Sequence, residues 1–133
     1  MKVELFTICD AATNDGGKLS LLGTFDTIRG EKAPTVCRAF AIAGRVRFTR
    51  IEEGEHRFKV TVTDEDGGPV IPPLDFRVVI EVPEEQFSAV HCFVVNLQGI
   101  QLKSFGEYQI DLAIDNRQES TVPLYLVRNT PLN

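Results

Sequence analysis

One pattern occurs twice in this chain and restricts its fold more than any other feature. Gly54-Glu55-His56-Arg57-Phe58-Lys59-Val60-Thr61-Val62 returns as Gly106-Glu107-Tyr108-Gln109-Ile110-Asp111-Leu112-Ala113-Ile114. Each copy is a turn glycine, a glutamate and a ring, followed by apolar residues at every second position. Successive side chains of a strand point to opposite sides of the sheet, so this period of two describes a strand with one buried face.

Alternation and turn chemistry divide the rest of the sequence into strand candidates without a convincing helix. The first is 2–9, and a turn over 10–17 feeds a second at 18–25. Segments 36–49, 55–64, 74–82, 88–102, 106–115 and 118–128 follow. Gly54 and Asp64-Glu65-Asp66-Gly67-Gly68 mark turns around segment 55–64, and Pro69, Pro72 and Pro73 stiffen the next loop. In 88–102 the apolar side changes register, and Gly99 is the natural place for a bulge. Pro123 marks the last strand as an edge or a bulge.

Short hairpin-linked strands predict an all-β chain, an antiparallel two-sheet β-sandwich of seven to nine strands in one domain, residues 1–133. Leu102, Gly106 and Tyr108 ahead of an alternating strand resemble the tyrosine corner of immunoglobulin-like and fibronectin-type sandwiches, in which the phenol bonds back to upstream backbone. On that resemblance 2–9 is strand A, 36–49 is B, 55–64 is C, 74–82 is D, 88–102 is E, 106–115 is F and 118–128 is G. The two copies of the repeated pattern become C and F, which are sheet neighbours in that order.

The second faces of these strands differ. C and F carry Arg57, Lys59, Thr61, Gln109 and Asp111 on the side away from the core, as a wet face should. Strands A, B and E are apolar on both sides, and strands of that kind are normally covered on both sides. Side by side, they present an outer face with Ala39, Ala41, Ala43, Val90, Cys92 and Val94, bordered by Arg45 and Arg47. Three occupants are open for it: residues 10–35 of the same chain, a second copy in a symmetric dimer, or a ligand in a groove. If a second copy covers it, Ala41→Arg breaks the dimer and leaves the fold intact.

The remaining chemistry is sparse. A formal charge of −5 disfavours nonspecific nucleic-acid binding. No stretch approaches the length of a membrane-spanning helix, and Glu4 and Asp10 interrupt any signal-peptide core, which together predict a cytoplasmic protein. Cys9, Cys37 and Cys92 cannot all pair and lack a Cys-x-x-Cys spacing, so packed, reduced thiols are expected. Asp64-x-Asp66-Gly67 matches half of a calcium loop and equally well an ordinary turn, and Asp10 and Asp26 are weaker cation candidates. His56 opens strand C as Tyr108 opens F, which predicts a structural ring; His91 and Cys92 face opposite ways and cannot act as base and nucleophile. Neither a nucleophile elbow nor a phosphate loop is present, and no catalytic residue, cofactor or metal is assigned.

Cys9-Asp10-Ala11-Ala12, Gly17-Lys18-Leu19, Leu22-Gly23-Thr24-Phe25-Asp26, Asp64-Glu65-Asp66-Gly67, Pro72-Pro73-Leu74 and Gly106-Glu107-Tyr108 resemble a family of uncharacterised bacterial proteins of about this length. The resemblance implies a free-standing bacterial domain and no particular activity. The expected function is a non-enzymatic interaction or assembly domain using the outer A-B-E face, as a homodimer or with another protein; the alternative is a small-ligand or cation-binding domain built on the acidic turns.

Overall fold

A computed structural model describes residues 1–129. Eleven strands are formed among them: β1 (Lys2–Asp15), β2 (Lys18–Thr24), β3 (Thr27–Gly30), β4 (Thr35–Val36), β5 (Phe40–Thr49), β6 (Gly54–Thr63), β7 (Leu74–Ile80), β8 (Ser88–Leu97), β9 (Gln101–Leu102), β10 (Gly106–Ile114) and β11 (Arg117–Arg128). One 3₁₀ turn at Arg50–Glu52 joins β5 to β6.

The strands form two main sheets, in the orders β2-β1-β5-β8 and β3-β11-β10-β6-β7, and β4 and β9 make a separate two-residue ladder. The expected neighbours A-B-E are β1-β5-β8, and C and F are the adjacent pair β6 and β10. Segment 74–82, given the D label, departs from the immunoglobulin assignment. Its ordered part, β7, pairs with β6 from Gly54↔Ile80 to Val60↔Leu74 and so lies beside C and away from E. The second sheet is also mixed, because β3 runs parallel to the end of β11, from Tyr125↔Thr27 to Arg128↔Gly30. A wholly antiparallel fold is therefore corrected: after β2 the chain crosses through Phe25 and Asp26 to the other sheet.

Inner faces of both sheets share one core. Ile42, Val46 and Phe48 of β5 are fully buried, as are Phe58, Val60, Ile110, Leu112 and Leu124 from the opposite sheet. Burial of a side chain of this size contributes about 1.5–3 kcal/mol, so the alternating pattern supplies much of the driving force. The rings of Phe58 and Phe93 meet edge to face at 5.7 Å. Phe93 stands against Gly44 of β5, where a Cβ would lie 2.3 Å from the ring. A glycine in mid-strand is thus explained by the close approach of an aromatic ring.

Turns follow the local chemistry. Asp115 and Asn116 both take positive φ and close the β10–β11 hairpin in two residues. The break expected at Gly99 is present with φ of 69°, and it separates β8 from β9 while Leu97, Ile100 and Leu102 all stay buried. Pro123 pairs with Gln109 in a stretch of β11 that β3 does not reach, so the strand is an edge there. Tyr108 Oη donates to Ser104 O at 2.6 Å and accepts from Ser104 N at 3.2 Å, fixing the approach to β10.

Candidate functional site

Strand β1 differs most from expectation. The turn expected at 10–17 is strand as far as Asp15, and the reversal is confined to Gly16 and Gly17, with φ of 58° and 87°. β1 pairs with β5 only up to Cys9, and beyond it only with β2. The free part of the hairpin reaches β8, two strands away: Asn14 Nδ2 donates to Cys92 O at 3.0 Å, and the Cys92 thiol donates to Gly17 O at 3.5 Å. Its base is on β1 and its tip on β8, so the hairpin passes over the outer side of β5.

Cross-strand pairing puts Ala12 opposite Leu21 and Asn14 opposite Leu19, and of these Ala12, Leu19 and Leu21 are half-buried. On the other side of the ribbon Ala11, Ser20 and Leu22 are exposed. The hairpin thus turns an apolar side to the protein. Beneath it Ala41 and Ala43 have no exposure and Cys92 is buried, Val90 and Val94 are half-buried, and Ala39 is exposed. Of the three possible occupants, the chain itself covers the middle of the A-B-E face. Ala41→Arg then has no room and damages the fold, contrary to the expectation that it leaves the fold intact. The two arginines bordering this face converge on one carboxylate. Arg47 Nε lies 2.7 Å and Arg45 Nε 2.9 Å from Glu4, and together they hold the Glu4 carboxyl at about 2.

Of the aspartates considered for a cation, Asp64, Asp10 and Asp26 are each engaged in bonds of their own. Asp64 Oδ1 accepts from Asp66 N at 2.9 Å and Gly68 N at 2.8 Å, the bonding of a turn. Asp10 pairs with Arg38 at 3.2 Å, and Asp26 accepts from Thr27 Oγ1 at 2.7 Å. No group of three or more His, Cys, Asp or Glu side chains placed to hold a metal ion occurs among the described residues. His91 faces the core edge-on to Phe58, while Cys92 points outward to the hairpin, so the two cannot cooperate. Burial pushes the Cys9 and Cys37 thiols up, away from the reactive thiolate, and pushes His91 down, toward the neutral imidazole.

His56 is held differently. Its ring lies 4.7 Å from that of Phe48, Nδ1 is 2.6 Å from Asp115 Oδ2, and Nε2 is 2.6 Å from Glu52 O. A carboxylate and a carbonyl both accept, so both ring nitrogens must donate, which requires the imidazolium. Burial works against that charge, but the bonds to Glu52 and Asp115 outweigh it and the imidazole is raised above its usual range. The ring at the start of C is structural, as the repeated pattern suggests.

A second surface escaped the sequence reading. Ile51 and Phe87 are each 96% exposed, the most extreme among the large apolar residues. They sit on the β5–β6 and β7–β8 loops, at one end of the two sheets. Arg50 ties these loops together, donating to Val82 O at 3.0 Å, Pro83 O at 3.1 Å and Gln86 O at 2.6 Å. Single exposed apolar residues in turns have no periodicity to reveal them; the signal available was two bulky hydrophobics inside otherwise acidic loops.

The chain is an all-β domain in which no long, apolar helix capable of crossing a membrane occurs among the described residues. It belongs to the family of unknown function DUF6941, whose sequence model matches residues 4–127. No curated protein and no solved structure is significantly similar to it.

Proposed function

We propose that this chain is a non-enzymatic interaction and assembly module of a bacterial cytoplasm, an immunoglobulin-like or fibronectin-like β-sandwich that engages its partner through the loops bearing Ile51 and Phe87. The sandwich part of this reading is supported by the neighbours β1-β5-β8 and β7-β6-β10-β11 and by the Tyr108 bond to Ser104. The cytoplasmic part is supported by three buried cysteines with no disulfide. The interaction part is carried by one observation: two bulky apolar side chains, each 96% exposed, are presented on loops that Arg50 pins together. Isolated exposed hydrophobics are ordinary, but a loop backbone already held in place loses little entropy on docking.

A photo-crosslinking amino acid at position 87, introduced in cells that make the protein, tests this reading. A discrete adduct from position 87 that is missing from position 20 supports it, and the adduct's mass separates a second copy from another protein. A position 87 that yields no adduct sinks it.

The outer A-B-E face gives a second reading, a symmetric dimer in which a partner replaces or extends the hairpin. It is favoured by the exposure of Ala39 and by Leu22, 70% exposed on the hairpin's outer side. Val94→Arg lowers the mass in solution if that face is the dimer contact.

A further inference from the structure

The end of the molecule opposite Ile51 and Phe87 carries a groove of about 340 Å³. Phe25, Ile28, Val36 and Cys37 give its lining an apolar part, shared with Thr27, Thr35 and the two arginines Arg29 and Arg38. Val36 is 64% exposed, and the Arg38 side chain keeps 80% exposure although it pairs with Asp10. The larger hollow beside Thr7, Thr24, Asp26 and Pro123 is lined by no cation.

Strand β5 measures the separation of the two ends. Arg50, which ties the loops of Ile51 and Phe87, follows its last residue, and the ring of its first residue, Phe40, meets Phe25 of the groove edge to face at 5.9 Å. Ten residues at about 3.3 Å each put tip and groove roughly 30 Å apart. One molecule cannot place its own tip in its own groove. The tip and groove also differ in charge. Around the tip Glu53, Glu81, Glu84 and Glu85 are exposed; Arg50, bonded to the carbonyls of Val82, Pro83 and Gln86, also pairs with Glu53 at 3.6 Å, which leaves Glu81, Glu84 and Glu85 as the excess charge. Around the groove Arg29, Lys32 and Arg38 are exposed, set against Asp26, Glu31 and the Asp10 paired with Arg38.

We infer that copies of this chain associate head to tail, Ile51 and Phe87 of one copy seating in the groove of Phe25, Ile28, Val36 and Cys37 of the next, with the tip glutamates facing Arg29 and Arg38. The inference rests on the reading of the loop end as an interaction surface and names its occupant. Apolar tips need a socket with apolar side chains, and acidic surroundings select one whose lining carries arginines and no carboxylate; the groove at the far end of the same molecule has both. Four carboxylates around the tip work against an anionic membrane surface as the occupant. The contact joins two different patches, so it leaves a free tip and a free groove at every step and grows into rings or open filaments rather than stopping at two copies.

Sedimentation velocity on purified protein, from micromolar to millimolar concentration, tests this. The wild-type mass is expected to rise with concentration and to fall as salt is raised, because screening weakens exposed charge pairs. A tip variant (Ile51→Asp with Phe87→Asp) and a groove variant (Val36→Asp with Arg29→Glu) each remain monomeric. Their equimolar mixture forms a dimer and stops there, since the pair holds one intact tip and one intact groove and its contact uses both. All four positions are exposed, and circular dichroism checks the fold; Phe87→Ser alone is the milder tip variant if the double one unfolds. A wild type that stays monomeric, variants that assemble as the wild type does, or a mixture that forms no dimer overturns the inference. With a position-87 adduct to a different protein, such a result removes the self-association and leaves the interaction reading standing; with no adduct, both fall.

Discussion

The His56 imidazole and the Asp115 carboxylate meet at 2.6 Å, joining the start of β6 to the end of β10. Asp115 Oδ1 also accepts from Arg57 N at 2.9 Å, so one carboxylate closes the edge between the two copies of the repeated pattern. The His56 pKa is raised in the folded state, against burial, by Glu52 and Asp115. Its contribution to stability is therefore complete below the unfolded value near 6.5 and is lost as pH rises through the folded value. Asp115 runs the other way. Burial opposes its ionisation, but the Arg57 amide and His56 lower its pKa, so its contribution is present above the usual 3.8 and is lost as pH falls through the folded value. NMR titration of His56 should give a midpoint above 6.5, and His56→Gln should flatten the decline of stability on the alkaline side.

Tyr108→Phe removes a hydroxyl that serves Ser104 as both donor and acceptor. The ring keeps its packing, so the loss is confined to those bonds and amounts to about 1–2 kcal/mol. The urea midpoint should fall with an unchanged slope. An unaltered midpoint removes the corner from the interactions that hold β10 in place.

Gly44→Ala forces a methyl group against the Phe93 ring, 2.3 Å from its nearest atom. Overpacking of this kind costs about 1–3 kcal/mol. Phe93→Leu in the same chain makes room, so the double variant should be more stable than the sum of the two single losses predicts. Strict additivity in thermal or urea unfolding contradicts the contact.

Asn14→Ala removes the hairpin's side-chain bond to Cys92 O. The tip should open more often, and the Cys92 thiol should react faster with a thiol reagent, read by peptide mass mapping. Cys37, buried at the groove end of the domain, should be unaffected. Equal rates for Cys92 in both proteins mean that something other than this bond keeps the tip in place. Ala41→Arg in the same background should lower the unfolding midpoint sharply, because Ala41 is 0% exposed.

Periodicity made the central strands legible. Phe58, Val60 and Val62, with Ile110, Leu112 and Ile114, identify their buried side, whereas their adjacency came from the strand order of the immunoglobulin-like resemblance and not from the pattern. The partner of 74–82 was not legible: Phe76, Val78 and Ile80 show which side is buried and say nothing about which edge the strand joins. The parallel pairing of β3 was hidden for the same reason, four residues being too few to carry a pattern. The A-B-E face was recognised as needing cover from its alanines and valines, with residues 10–35 among the candidates, yet the first arm of that roof was read as a turn. Asp10 to Asp15 are turn formers by composition, and only their pairing with β2 makes them strand. Ile51 and Phe87 had no pattern at all, since their exposure depends on how Arg50 gathers two loops from distant parts of the chain.

The chain begins and leaves the described fold at opposite poles. The amino group of Met1 pairs with Glu52 at 2.7 Å, beside Ile51, and the amide of Asn129 donates to Gly30 O at 2.8 Å, beside the groove. In a head-to-tail pair, the last described residue of one copy therefore faces the first residue of the next. A short flexible tether between them bridges a small gap and holds tip and groove at an effective concentration in the millimolar range, which strengthens their contact without altering either surface. For such a head-to-tail assembly, the placement of Met1 and Asn129 makes tandem fusion a direct way to lengthen it one unit at a time.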